Sequence, residues 1–304
     1  MVFPAQEPSL EDRSGRILFR TQGHHMGPVT RLISPGDLGE LLKPFVFLDR
    51  FEAPGARGVA LPVHPHSGLA THTTLLSGSS LYADSTGKAG VLEAGDVEWM
   101  RASGGVWHGG AVLAGQPVHG FQLWVAMPAK LELAPAESQY VRKTQVPGDE
   151  RVRLLLGSYQ GQHSATVAPS DVTYLHVRLG DGEVWRYQSA ASHAHVFVAL
   201  ARGALLVGGT RLGRELAVFA AGEEPIEFLA HGDTEFIVDS GARHPHPLVT
   251  GMYSVHTSAA ALERGEAGIE ALANTMALEP GGFVTPELVR RFGGSAEVRR
   301  LQAV

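Results

Sequence analysis

Residues 61–78 read Leu-Pro-Val-His-Pro-His-Ser-Gly-Leu-Ala-Thr-His-Thr-Thr-Leu-Leu-Ser-Gly. The run from Thr71 to Leu76 is rich in β-branched and aliphatic residues and ends at a turn glycine, Gly78, which is the pattern of a short strand. His64 and His66 stand two residues apart, so in an extended chain both imidazoles leave the same face. To either side, Val29 to Ile33, Phe45 to Leu48 and Phe121 to Val125 are runs of the same kind, bounded by Gly, Pro or Asp. Many short strands separated by turn signals predict a sandwich or barrel. A dinucleotide-binding sheet would need long amphipathic helices between its strands, and none is legible.

Composition agrees with an all-β chain: 304 residues, 44% hydrophobic and 18% charged, with 37 glycines and 18 prolines. The length is enough for two cores. A net charge of −6 offers no basic face of the kind a phosphate backbone needs, so direct nucleic-acid binding is not expected. There are no cysteines and fifteen histidines, so a transition metal would be held by His, Asp or Glu. No run of about 18 apolar residues occurs and the N-terminus lacks an apolar leader core, which predicts no membrane span and, as the simplest reading, a cytoplasmic protein. Neither a G-x-S-x-G elbow nor a phosphate-binding G-x-x-x-x-G-K-[ST] loop is present.

A weak internal repeat predicts two units. Leu75-Leu76-Ser77-Gly78 leads to Leu92-Glu93-Ala94-Gly95-Asp96, and Leu200-Ala201-Arg202-Gly203 leads to Phe219-Ala220-Ala221-Gly222-Glu223. The polar stretch from Lys130 to Asp149, where apolar periodicity lapses, marks the boundary. The expected division is 1–135 for a barrel with the chemistry, 145–257 for a second barrel, and 258–304 for a helical segment and tail. Within the last, Ser258 would cap a helix carrying Leu262, Ile269 and Leu272, and Thr285-Pro286 would open another.

The His64/His66 pair gains meaning from a third histidine further along the chain. Gly95-Asp96-Val97-Glu98-Trp99-Met100 precedes Gly104-Gly105-Val106-Trp107-His108, which puts His108 on a later strand. Two histidines at strand spacing plus a distant third resemble the metal site of cupins. HPHSGLAT, LLSG, ADSTG, GDVEWM and GGVWH between residues 61 and 110 resemble the pirin family in order and spacing, as do KPFVFLDRF at 43–51, HGFQLWVAMP at 119–128 and PLVTGMYSVHTS at 247–258.

That resemblance implies two tandem cupin barrels of the double-stranded β-helix (jelly-roll) type, with one divalent transition metal, Fe(II) first and Ni, Co, Mn, Cu or Zn as alternatives, bound only in the first. It implies His64, His66 and His108 as ligands. The family's fourth ligand, a glutamate, falls on Gly110, which leaves a vacancy there. The implied activity is oxygen-dependent cleavage of quercetin or a related enol, with O2 and an aromatic or enol compound as partners. The competing expectations are a metal-bound regulatory protein with a protein partner, akin to a transcription cofactor, and a structural cupin with a weak metal site. His72 reads as a core histidine, with a substitute ligand as the alternative; Glu98 as a surface acid or a substitute ligand; His119 as a group that orients a neighbour. His193-Ala194-His195 repeats the spacing but lacks a third histidine and reads as packing in a degenerate barrel. His244 and His246, and His24 with His25, read as solvent-facing.

Overall fold

The computed structural model describes residues 16–55, 59–112 and 115–276. In chain order the strands of the first part are β1 (Ile17–Thr21), β2 (His24–Met26), β3 (Val29–Ile33), β4 (Phe45–Ala53), β5 (Val59–His66), β6 (Leu69–Ser77), β7 (Ser79–Asp84), β8 (Ala89–Glu93), β9 (Val97–Arg101), β10 (Val106–Val112), β11 (Val118–Ala126) and β12 (Glu137–Val141). Then come β13 (Val152–Tyr159), β14 (Gln162–His163), β15 (Val172–Leu179), β16 (Val184–Tyr187), β17 (His193–Val207), β18 (Thr210–Leu212), β19 (Leu216–Ala220), β20 (Ile226–Ala242), β21 (Val249–Thr250) and β22 (Val255–His256). Only two α-helices interrupt them among the described residues, α1 (Leu38–Leu42) and α2 (Ala259–Met276). The all-β reading, with a helix near the end, holds. Neither helix is long and apolar enough to cross a membrane.

The chain divides into two units that interleave in sequence. Among the described residues, one unit comprises His24–Val146, Ala165–Ser170 and the chain from Arg243 to Met276. It contains a seven-stranded sheet in the order β12-β9-β6-β11-β4-β3-β2 and a four-stranded sheet in the order β5-β10-β7-β8. The pairings are antiparallel throughout, so each strand can carry one face into the barrel and one away from it. Gly95, which turns β8 into β9, has φ +84°, and Gly78, between β6 and β7, has φ +73°, the left-handed conformation that glycine adopts without a Cβ penalty.

Helix α2 belongs to this unit. Ser258 Oγ accepts from Ala261 N (3.2 Å), the cap expected from the sequence. Ile269 and Leu272 pack against Val63, Ala83 and Trp107, and Trp107 Nε1 donates to the Ile269 carbonyl (2.9 Å). The expected helix at Thr285 lies outside the described residues.

The other unit holds β1 together with Pro147–Ser164 and Asp171–Ala242. Its sheet runs β1-β19-β17-β20-β15-β13-β14, with β16 added to β20 and β18 to β17. Trp185, Phe228 and Phe236 sit in its core with Val196, Val198 and Val238. Here His193 is buried, sharing hydrogen bonds with Ser240 Oγ (2.6 Å) and Asp171 Oδ1 (3.3 Å), while Ser240 also bonds Tyr187 Oη (2.6 Å). Among the described residues no metal-competent cluster occurs in this unit.

Candidate metal centre

β5 and β10 pair so that His64 lies directly opposite His108, and His66 opposite Val106. Strand period two then puts all three imidazoles on one face. The register slips between His108 and Gly110, because β5 carries one more residue than β10 over this stretch. The extra residue falls at Pro62-Val63, and the Pro62 carbonyl lies 2.8 Å from His64 Nδ1. His66 Nδ1 lies 3.0 Å from the Tyr253 carbonyl, and His108 Nδ1 is 3.7 Å from Glu98 Oε1. His64 and His66 each have a carbonyl within hydrogen-bond reach of Nδ1, which favours the tautomer with Nε2 free for a metal, while Glu98 faces His108 Nδ1 beyond hydrogen-bond distance.

The donor atoms lie within 4.8 Å of one another. His64 Nε2 and His108 Nε2 are 3.1 Å apart; two nitrogens about 2.1 Å from one ion and at right angles to it would stand roughly 3 Å apart. His66 Nε2 is buried with no hydrogen-bond partner, an orphaned lone pair facing the other two rings. Burial, followed by the proximity of His108, pushes His64 down to about 4; burial and both neighbouring histidines push His66 well below its ordinary value. Both rings are thus neutral at pH 7, the form that binds metal. The residues fit a divalent transition metal.

A cavity of about 200 Å³ opens beside His64 and His108. Phe51, Leu61, Leu75, Leu81, Leu92 and Val112 give it apolar walls. Its floor is polar, and the polarity forms a row across four strands: Glu98 on β9 faces Thr73 on β6, Thr73 faces Gln122 on β11, and Gln122 faces Asp49 on β4. Arg31 on β3 closes the row with two bonds to Asp49, one of them 3.1 Å from Nη2 to Oδ2.

Glu98 corrects the expectation of a surface acid. It is 6% exposed, lines the cavity and faces His108 from behind. Burial acts to raise its pKa, but the attraction of His108, with help from Thr73 and His72, holds the carboxyl below its usual range. Glu98 shares strand parity with the buried Met100, a signal in the sequence that could have placed it inside.

The Gly110 vacancy also needs correction. Gly110 lines the cavity, yet a Cβ built there would lie 2.7 Å from the Leu81 carbonyl oxygen. Strand β7 has closed against the position, so it is not an open socket. His72 is fully buried on β6, its ring edge-on to Trp99, as a core histidine should be. His119 lies outside the histidine group, half-exposed and 3.4 Å from Glu52. His244 is buried rather than solvent-facing, its Nε2 3.1 Å from the Met127 carbonyl, whereas His246, His24 and His25 are exposed.

The pirin family model matches residues 28–125, the strands that hold the site. A candidate quercetin 2,3-dioxygenase of Pseudomonas aeruginosa is 32% identical over 196 residues, covering 60% of this chain and 68% of that protein. The chain belongs to the pirin family. Rat pirin is 29% identical over 171 residues, 55% of this chain; the chain spans a little over half the length of the mammalian pirins it matches, 58% for the rat protein. A solved quercetin 2,3-dioxygenase from Acinetobacter baumannii superposes with a TM-score of 0.73 at 26% identity, covering 86% of this pirin and 96% of that chain. The double cupin fold follows from this likeness and from the sheets described above.

Proposed function

We propose that this pirin is a metal-dependent oxygenase of small hydroxylated aromatic or enol compounds, the class to which flavonols such as quercetin belong, and that its N-terminal barrel is the working domain. The observation that carries the reading is the convergence of the His64, His66 and His108 Nε2 atoms at the side of an apolar cavity with a polar floor. A three-nitrogen donor set without sulfur suits Fe(II) first, with Ni, Co, Mn, Cu or Zn also compatible. When bound, such an ion supplies Lewis-acid and redox chemistry at the cavity's end.

The chain's own residues supply the rest. Phe51, Leu75 and Val112 exclude water and offer apolar surface to a ring. Thr73 and Gln122 present donors and acceptors to ring hydroxyls across the floor. Glu98 supplies beside the histidines the negative charge absent at Gly110, from behind His108 rather than from β10. A second carboxylate, Asp49, is tied to Arg31 and adds little net charge.

Two measurements test the proposal. Protein purified without added metal should hold about one transition-metal ion per chain by elemental analysis, and the His108→Ala variant should hold none. Iron-loaded protein should then consume O2 with quercetin and not with the corresponding flavone, which lacks the enol hydroxyl. Equal metal content in wild type and variant removes the site. Metal without O2 uptake on any enol, with iron, nickel, cobalt or manganese, leaves a metal-bound binding protein.

A further inference from the structure

Behind His66, on the side away from the cavity, lies a chain of buried polar groups that the metal reading does not use. Ser67 follows His66 directly, and Ser254 follows Tyr253, whose carbonyl holds His66 Nδ1. Ser67 Oγ donates to Ser254 Oγ at 2.9 Å and lies 2.9 Å from His256 Nε2; on its other side His256 Nδ1, buried and without a hydrogen bond, faces Glu132 Oε2 at 3.3 Å. Glu132 is fixed in turn by Thr257, whose backbone N–H and hydroxyl each donate to it at 2.7 Å. All four residues of the chain are at most 4% exposed.

The order carboxylate, imidazole, hydroxyl is that of a hydrolase triad, but Ser67 is fully buried, so no substrate reaches it. What the chain does reach is the backbone on either side of the His66 bond. Ser67 and Ser254 bridge in parallel, and Val255 N donates to the Ser67 carbonyl at 3.1 Å. Helix α2 closes the top: a Cβ at Gly265 would stand 2.4 Å from His256 Nε2 and 2.5 Å from Ser67 Oγ, so the helix backbone lies directly on the hydrogen bond and keeps water from it.

We propose that Glu132, His256, Ser67 and Ser254 form a positioning relay for the metal: they lock the Tyr253 carbonyl against His66 Nδ1 and so hold His66 Nε2 on the ion. Two backbone segments far apart in sequence meet at this point, and the side-chain relay sets their spacing where a single backbone hydrogen bond would let them slide. The inference rests on the three-histidine reading. It adds residues that touch neither metal nor cavity, and outer partners of this kind typically change metal affinity by about 10–100-fold.

The test uses the full-length protein and cobalt(II) as probe. Cobalt affinity is measured by competition with a chelating dye, and the visible d–d spectrum reports ligand geometry. The variants His256→Ala and Ser254→Ala should bind cobalt at least about 10-fold more weakly, with displaced or weakened bands. His256→Gln, whose amide can reach the Nε2 position and bond Ser67, should recover most of the affinity. Leu42→Ala, a core truncation in α1, controls for general destabilisation and should leave the spectrum unchanged. Wild-type affinity and spectrum in His256→Ala, in a protein whose cobalt is lost on His66→Ala, would overturn the relay alone. Failure of wild type to bind cobalt would overturn the metal reading and the relay with it. An equal loss in Leu42→Ala would also overturn the relay, since affinity would then merely follow stability.

Discussion

At the scale of single residues, the site turns on where its negative charge sits. The pirin resemblance put the fourth ligand's carboxylate at Gly110, whereas this chain holds a buried carboxylate at Glu98, 3.7 Å from His108 Nδ1. A carboxylate behind a ligating imidazole orients the ring and raises its basicity. Glu98→Gln keeps the shape and removes the charge, so metal affinity should fall about 10-fold or more while the fold persists, as read by dye competition beside circular dichroism. Gly110→Glu, by contrast, should not restore a four-ligand centre. Its Cβ meets the Leu81 carbonyl at 2.7 Å, so β7 or β10 must shift. We expect a loss of about 1–3 kcal/mol in chemical denaturation and no gain in metal affinity; a tighter-binding, equally stable variant would show that β7 yields freely.

At the scale of elements, the centre depends on a pairing and a clamp. The pairing of β5 with β10 sets His64 against His108, and α2 clamps the same strand through Trp107, whose ring packs on Ile269 and whose Nε1 bonds the Ile269 carbonyl. Trp107→Ala should cost about 3–5 kcal/mol of stability and speed amide exchange in α2, because ring burial and the hydrogen bond go together. Trp107→Phe retains most of the ring and should cost less; equal costs would place the whole effect in the indole N–H. How far the sequence foretold this centre depends on the range of each interaction. The strand-spaced histidines, the turn glycines Gly78 and Gly95 and the Ser258 cap are local signals, readable from neighbours along the chain. The polar row from Glu98 through Thr73 and Gln122 to Asp49 is not, since each residue comes from a different strand and only the registers align them. The same holds for Gly110, whose obstruction is a carbonyl on β7, for His244, whose partner is on the segment after β11, and for β1, which pairs with β19 about 200 residues later.

At the scale of the whole molecule, the chain has assigned its two units opposite uses of buried polarity. The unit of the candidate metal centre gathers three histidines into one group, and burial keeps His64 and His66 neutral. The other gathers charge into ion pairs: Glu235 accepts from Arg178 Nε (2.7 Å), Arg202 Nε (3.1 Å) and His176 Nε2 (2.8 Å), and Glu215 pairs with Arg20. Burial alone would raise the Glu235 pKa, but His176 and Arg178 bring it down to about 2. A carboxyl depressed in the folded state gives stability that is present above its unfolded value near 4.5 and is lost as pH falls through about 2. The full shift would be worth roughly 3 kcal/mol, but Arg178 and Arg202 are half-exposed and screened by water, so about 1–2 kcal/mol is the realistic share. Asp239 works in the opposite sense. Fully buried, its carboxyl is pushed well above the usual range, so the folded protein loses stability as pH rises from about 4 toward that higher value. Glu235→Gln should therefore lower the melting temperature at pH 7 and flatten the acid limb between pH 5 and 2, whereas Asp239→Asn should raise it at pH 7 and leave the acid limb in place. Neither should alter metal content, because neither residue belongs to the histidine cluster. Melting curves of both variants across pH 2–8 decide the matter: an acid limb unchanged in Glu235→Gln would mean that other carboxylates carry the acid sensitivity of this unit.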